Sequence, residues 1–186
     1  MKKRVYIGMT ADVMHPGLVN VIKEGVKYGD VIIGLLTDHA IAEYKRLPYL
    51  NYEQRKSVLE NIKGVTEVVP QDEWNYAPNL LKYKPDFMIH GDDWKIGTQQ
   101  KYRELAFEAM KTFGGKIIEV PYTKDISSSE FVESINAIGT TPQIRLKSLR
   151  RLISAKPIVR ILECHSGLAG LIAEKTNVEV EGKRME

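Results

Sequence analysis

The stretch GMTADVMHPGL, residues 8–18, closes a short apolar run and brings together an aspartate, a histidine, a proline and a glycine. Pro16 suits the first turn of a helix, and the free N–H groups and positive dipole end of such a turn attract an anion. Gly17 lets a phosphate approach the backbone. His15 can donate a hydrogen bond to a phosphate whose charge grows in a transition state, although a lone histidine beside a turn is more often structural. HGDDW (90–94) sets Asp92, Asp93 and the indole of Trp94 behind Gly91. That pattern fits a base-and-ribose or metal-facing site, or else a capped turn over a packed tryptophan. ISSSE (126–130) supplies Ser127, Ser128 and Ser129 at a helix start. A cap needs one hydroxyl, so the surplus fits a phosphate cradle. Lys45 and Arg46 in EYKR (43–46) can hold an anionic substrate, or can merely solvate a loop.

These residues need a scaffold that brings them to one place. RVYIGM (4–9) is strand-like, and Leu18, Ile22 and Val26 recur at helical spacing over 16–28 until Gly29-Asp30 stops the pattern. VIIGLLT (31–37) is an uninterrupted apolar run, the mark of a strand covered on both faces. A polar loop follows, and Asn51 with Gln54 then forms an N-cap and its reciprocal partner for a helix reaching about Ile62. Strand-like TEVVP (66–70), DFMIHG (86–91) and KIIEVPY (116–122) alternate with helical NLLKYK (79–84), 98–113 and SSSEFVESI (127–135). Repeated β-α units predict an α/β fold, a doubly wound parallel sheet of Rossmann type, whose ligands bind at the carboxyl ends of the strands. Asp12, His15, Asp38, Asp92, Asp93 and Ser127–Ser129 all fall at such ends.

From Gly139 the pattern changes. GTTP (139–142) reads as a linker, IRLKSLRRLISA as a helix, KPIVRILECHSG as a strand running into a loop, and LAGLIAEK as a short helix. An α-β-α fragment of this size cannot close a core of its own. The division is therefore a domain over 1–137 and an extension over 138–186.

Composition narrows the class. With 43% apolar and 27% charged residues, the chain falls among soluble globular proteins. No apolar run reaches the roughly 18 residues that cross a membrane, and the single cysteine, Cys164, excludes a disulfide framework. A cytoplasmic protein is the simplest inference. Residues 1–137 hold 18 Lys and Arg against 19 Asp and Glu, and the extension holds 9 against 5. The basic excess at Arg145, Lys147, Arg150, Arg151, Lys156 and Arg160 carries no interleaved aromatic residue. It reads as a solvated helix face, not a nucleic-acid surface.

Taken in order, GMTADVMHPG, YKRLPYLNYEQRK (44–56), ENIKGVTEVVP (60–70), HGDDW and PYTKDISSSE (121–130) resemble the cytidylyltransferase family, the relatives of glycerol-3-phosphate cytidylyltransferase. The resemblance covers residues 4–137. The extension LRRLISAKPIVRILECHSGLAGLIAE (149–174) is similar to the start of a phosphoenolpyruvate mutase, with ECHSGL in place of an E-A-H-N-G-L loop. Fusions of the two occur in phosphonate biosynthesis. A mutase barrel needs about 250 residues and 37 follow Leu149, so the expectation is the front domain of a longer protein.

The resemblance implies a chemistry and a set of roles. CMP passes from CTP to a small phosphonate or phosphate acceptor, pyrophosphate leaves, and Mg²⁺ meets Asp12. It assigns catalysis to His15, Lys45, Ser128 and the position of Leu18. It assigns nucleotide binding to Met9, Thr10, Ala11, Asp12, Gly17, Lys63, Gly91, Asp92, Asp93, Trp94, Ser127 and Ser129, and acceptor binding to Lys45, Arg46 and Arg55. The tail favours 2-hydroxyethylphosphonate or 2-aminoethylphosphonate as acceptor over glycerol 3-phosphate. A homodimer is also expected.

The sequence departs from the family in three places. The second histidine of H-x-G-H is Leu18, which donates no hydrogen bond; losing one such donor costs about 10²–10³ in rate. Ala11 stands where G-T-F-D has phenylalanine, and Lys63 replaces an arginine without its bidentate fork. A domain that binds a cytidine nucleotide without turning it over is the alternative reading.

Overall fold

Strands β1 (Arg4–Met9) and β2 (Asp30–Leu36) are unbroken apolar runs because both of their faces are covered. They pair in parallel from Arg4–Asp30 through Met9–Leu35. β3 (Val65–Gln71), β4 (Phe87–Gly91) and β5 (Lys116–Val120) complete a parallel sheet in the order β3-β2-β1-β4-β5. These assignments come from a computed structural model, which describes residues 2–43, 46–95, 99–121, 142–159, 161–176, 178–180 and 183–185. The expected helix over 127–135 lies outside them.

The chain winds outward from β1 to β3, then returns to the other side of β1 for β4 and β5. Between β1 and β4 the ladder pairs Val5 with Phe87 and Tyr6 with Met88 and extends no further toward the carboxyl ends. A doubly wound sheet opens its crevice where the strand order reverses, which here is between the ends of β1 and β4.

Alternation along the strands supplies two cores. On one face Val5, Ile7, Val31, Ile33 and Leu35 pack with Ile22 of α1 (Pro16–Val26) and Leu59 of α3 (Tyr52–Glu60). On the other, Tyr6, Ile32 and Met88 pack with Leu80 of α4 (Ala77–Tyr83) and with Ala106 and Met110 of α5 (Gln100–Thr112). The Asn51–Gln54 capping box opens α3 as the sequence predicts.

The second core contains a polar knot. Tyr6 donates its hydroxyl proton to Gln71 Oε1 and accepts from Asn79 Nδ2 at 2.9 Å, while Gln71 Nε2 donates to the carbonyls of Glu73 and Asn75. Burial pushes the Tyr6 phenol far above its ordinary range, so it stays protonated. The bulk of Tyr6 sets the residue beside it on β2: a Cβ on Gly34 would lie 1.8 Å from the Tyr6 oxygen.

Two expectations are corrected. The loop after β2 contains α2 (Asp38–Ala42), capped by Thr37 Oγ1 accepting from the Ala40 N–H. Ala40 and Ile41 pack on Trp74 in a small core of their own, a tertiary gain that five residues of weak local signal do not reveal. In the extension, α6 (Pro142–Ala155) and α7 (Gly167–Lys175) form, followed by the antiparallel pair β6 (Val178–Val180) and β7 (Lys183–Met185). The described residues between α6 and α7 are not a strand. Ile158, Ile161 and Leu162 there are exposed, and a strand without a neighbour leaves its backbone groups unpaired. Among the described residues no helix is long and apolar enough to cross a membrane.

Replacing Gly34 with alanine is expected to lower stability by about 2–3 kcal/mol, the cost of overpacking a fitted core. Urea unfolding measures it, and an unchanged midpoint would show that Tyr6 can move aside.

Candidate active site

All five strands run the same way, so the residues after β1, β2 and β4 meet at one rim of the sheet. After β1 the chain turns through Ala11, whose φ of 48° is left-handed. That conformation costs a non-glycine residue roughly 1 kcal/mol. Three hydrogen bonds hold the turn. The Thr10 carbonyl accepts from Arg55 Nη1 at 2.6 Å. Asp12 accepts from Arg46 Nη2 at 2.7 Å and from the Tyr49 N–H at 2.6 Å. The Arg46 guanidinium also lies 4.4 Å from the centre of the Tyr49 ring.

His15 is the N-cap residue of α1 but makes no side-chain cap bond; its carbonyl accepts from the Leu18 and Val19 N–H groups. The imidazole is buried, and among the described residues its Nδ1 has no hydrogen-bond partner. Burial lowers its pKa, so the ring is neutral near pH 7. An orphaned buried nitrogen beside a helix N-terminus marks a place where another group completes the bonding. Gly17 sits at the second helical position. Leu18, at the third, is only partly buried and belongs to neither core.

Past β4, Asp92–Lys95 forms a 3₁₀ turn. Trp94 is fully buried. Its ring stacks on His90 with centres 3.9 Å apart and planes 7° from parallel, and its indole N–H donates to Glu119 at 2.9 Å. Glu119 also takes Arg103 Nε at 2.8 Å and Lys95 Nζ at 3.2 Å. The Arg103 hydrogen bond, aided by Trp94 and Lys95, lowers the Glu119 carboxyl to about 2 against the opposing effect of burial. His90 accepts from the Tyr76 hydroxyl at Nε2 while Nδ1–H donates to the Gly91 carbonyl, at 3.1 and 2.8 Å.

The structure revises several sequence assignments. Arg55 is not an acceptor ligand. Its side chain is fully buried, with Nη2 on Asp38 Oδ1 at 2.7 Å, Nη1 on Thr10 and Nε on the Leu50 carbonyl at 3.2 Å. Trp94 has no exposed ring to offer a nucleoside, so its place is the floor of the rim. Met9 likewise points its side chain into the first core. Lys63 precedes β3 and is exposed at the opposite rim of the sheet, about 20 Å along a seven-residue strand; it does not reach the site of its own chain. Lys45 and Ser127–Ser129, and the side chain of Asp93, lie outside the described residues. Brought to the common rim are Thr10, Ala11, Asp12, His15, Gly17, Leu18, Arg46, Gly91 and Asp92.

Asp12 does not fit the role of metal ligand either. Both of its oxygens are taken by Arg46 and the Tyr49 amide, and among the described residues no group of three His, Cys, Asp or Glu side chains is suited to an ion. Among the described residues the Asp12 carboxylate is spent on holding the loop after β2.

The sequence pattern gives no role to Glu119 or to the imidazole of His90. A carboxylate at the end of a strand-like run was the available signal for the former, and the HGDDW motif for the latter.

The model of a family described as cytidylyltransferase-like matches residues 6–134. The chain belongs to the cytidylyltransferase-like family. As a member it is a nucleotidyltransferase enzyme. It is 28% identical over 137 residues to glycerol-3-phosphate cytidylyltransferase of Bacillus subtilis (strain 168), a match covering 73% of this chain and 98% of the relative. It is 29% identical over 150 residues to FAD synthase of Ferroglobus placidus, covering 81% and 96% respectively. The fold is shared with a lipopolysaccharide core biosynthesis protein of Thermoplasma volcanium GSS1, with a TM-score of 0.55, 21% identity and coverage of 68% of this chain and all of that one.

Because the carboxyl of Glu119 is held below its ordinary 4.5, its contribution is complete above pH 4.5 and fades as pH falls toward about 2. Glu119→Gln is expected to cost about 1–2 kcal/mol at pH 7, and this deficit shrinks between pH 4.5 and 2. Urea midpoints across that window check the sign; a deficit independent of pH would count against the charge.

Proposed function

We propose that this nucleotidyltransferase moves CMP from CTP to a small phosphonate acceptor, with 2-hydroxyethylphosphonate and 2-aminoethylphosphonate as the best candidates. The observation that carries the reading is His15: a neutral, buried imidazole with an orphaned nitrogen at the start of α1, beside the opening between β1 and β4. A phosphate placed there gains the Gly17 N–H, the helix dipole and the imidazole. A relative that covers most of this chain is named glycerol-3-phosphate cytidylyltransferase. The phosphonate half rests on the similarity of residues 149–174 to the start of a phosphoenolpyruvate mutase.

In this mechanism an acceptor oxyanion attacks the α-phosphorus in line. A new P–O bond forms, the bond to the β-phosphate breaks, and pyrophosphate leaves with the electron pair. The acceptor is already anionic, so no proton need be removed, and the enzyme contributes positioning and charge stabilisation. Arg46, with Lys45 beside it in sequence, draws the acceptor to the rim. His15 and the first turn of α1 take charge developing on the α-phosphate. The hydroxyls of Ser127–Ser129 are assigned to the triphosphate, and the magnesium ion belongs with the CTP that brings it. The extension over 138–186 carries the mutase-like similarity, and the chain works as a homodimer in the cytoplasm.

Leu18 stands where the family places a second imidazole. Its partly buried position on the first helical turn accepts another side chain without disturbing either core. A second reading, glycerol 3-phosphate as acceptor, is favoured by the Bacillus relative, whose full length this chain nearly covers.

Pyrophosphate release should be followed with CTP and each of the three acceptors. The expected outcome is turnover with a phosphonate, raised tenfold or more in kcat by Leu18→His. A higher kcat/KM for glycerol 3-phosphate would select the second reading. No release from either the natural chain or the Leu18→His variant would leave a binding domain without transferase activity.

A further inference from the structure

The matched family region ends at residue 134, yet a residue well beyond it reaches the rim. Arg151 on α6 donates from Nη1 to the Tyr49 carbonyl at 3.0 Å and from Nη2 to Asp38 Oδ2 at 3.3 Å. One helical turn later, the Ala155 carbonyl accepts from His39 Nδ1 at 2.8 Å, so α6 is fastened to α2 and the following loop at two points. The sequence reading of this basic tail as a solvated helix face therefore fails at Arg151, whose side chain is 28% exposed and whose Nε is buried.

These contacts fall on the segment that contains Arg46. Tyr49 is held from both sides, its N–H by Asp12 and its carbonyl by Arg151. The next carbonyl, Leu50, is held by Arg55. Asp38 divides its two oxygens between Arg55 and Arg151. Among the described residues the guanidiniums of Arg46, Arg55 and Arg151 meet the carboxylates of Asp12 and Asp38. Removing Arg151 deletes one of these clamps.

We infer that Arg151 is a positioning residue: α6 orders the 46–50 loop through it, so acceptor affinity depends on a helix outside the matched domain. The inference rests on the proposed role of that loop in holding the acceptor.

The test uses the full chain with Arg151→Met, which keeps the aliphatic stem and removes the donors, with Arg151→Lys, and with Lys147→Ala on the exposed side of α6 as control. Steady-state kinetics and amide exchange over 46–51 are both read. Arg151→Met is expected to raise the acceptor KM about tenfold, leave kcat and the CTP KM within about twofold, and speed exchange over 46–51 but not in β1 or β2. Arg151→Lys recovers part of the effect, and Lys147→Ala has none. Equal rises in both KM values, or faster exchange throughout the sheet, would reduce Arg151 to a general stabiliser and overturn the inference. Unchanged exchange over 46–51 would overturn it too. If no acceptor turns over, the functional reading fails, while the exchange measurement still decides whether Arg151 orders the loop.

Discussion

The site depends on one buried guanidinium. Arg55 sits inside the protein with its charge met by Asp38 and its remaining donors spent on the carbonyls of Thr10 and Leu50. Each partner lies on a different piece of chain: the turn after β1, the start of α2, and the loop before α3. A buried charge tolerates little loss of partners, because an unpaired ion away from water costs about 3–5 kcal/mol. These three segments are therefore held at fixed separation. The left-handed turn at Ala11 is stable only because such partners hold both of its ends.

A second support lies beneath the other half of the rim. His90, Trp94 and Tyr76 form an aromatic block, and the Trp94 indole and the Arg103 guanidinium share the Glu119 carboxylate at the end of β5. The tight fit continues into the sheet, where Gly8 and Gly34 leave room for the rings of Tyr76 and Tyr6. Rigid packing below lets Gly91 and Asp92 stand at a defined height over the opening. The two halves meet where β1 and β4 cease to pair, and a ligand there can touch loops distant in sequence.

Much of this was legible in the residues. The unbroken runs of β1 and β2, the capping box at Asn51 and the proline opening α1 all follow from local rules of burial and hydrogen bonding. His15 and Gly17 were readable as a helix-start anion site for the same reason. The roles of Arg55, Asp12 and Trp94 were not. Each has the chemistry of a ligand group, and spacing along a chain does not say whether a guanidinium, a carboxylate or an indole spends its bonds inward or outward. α2 escaped notice because its stability comes from Trp74 packing on Ala40 and Ile41 across more than thirty intervening residues.

By itself the sequence determined the alternation of strands and helices, the two-faced burial of the sheet, and the rim on which the polar residues would gather. Those are consequences of hydrophobic period and of parallel strand direction, both local properties. Only the tertiary structure decided which polar groups remain available to a ligand and which are consumed as struts. It also decided that a basic residue of the tail, Arg151, joins the loop beside Asp12. Such pairings depend on distances between segments far apart in the chain, and these exist only once the sheet has formed and the helices have docked on it.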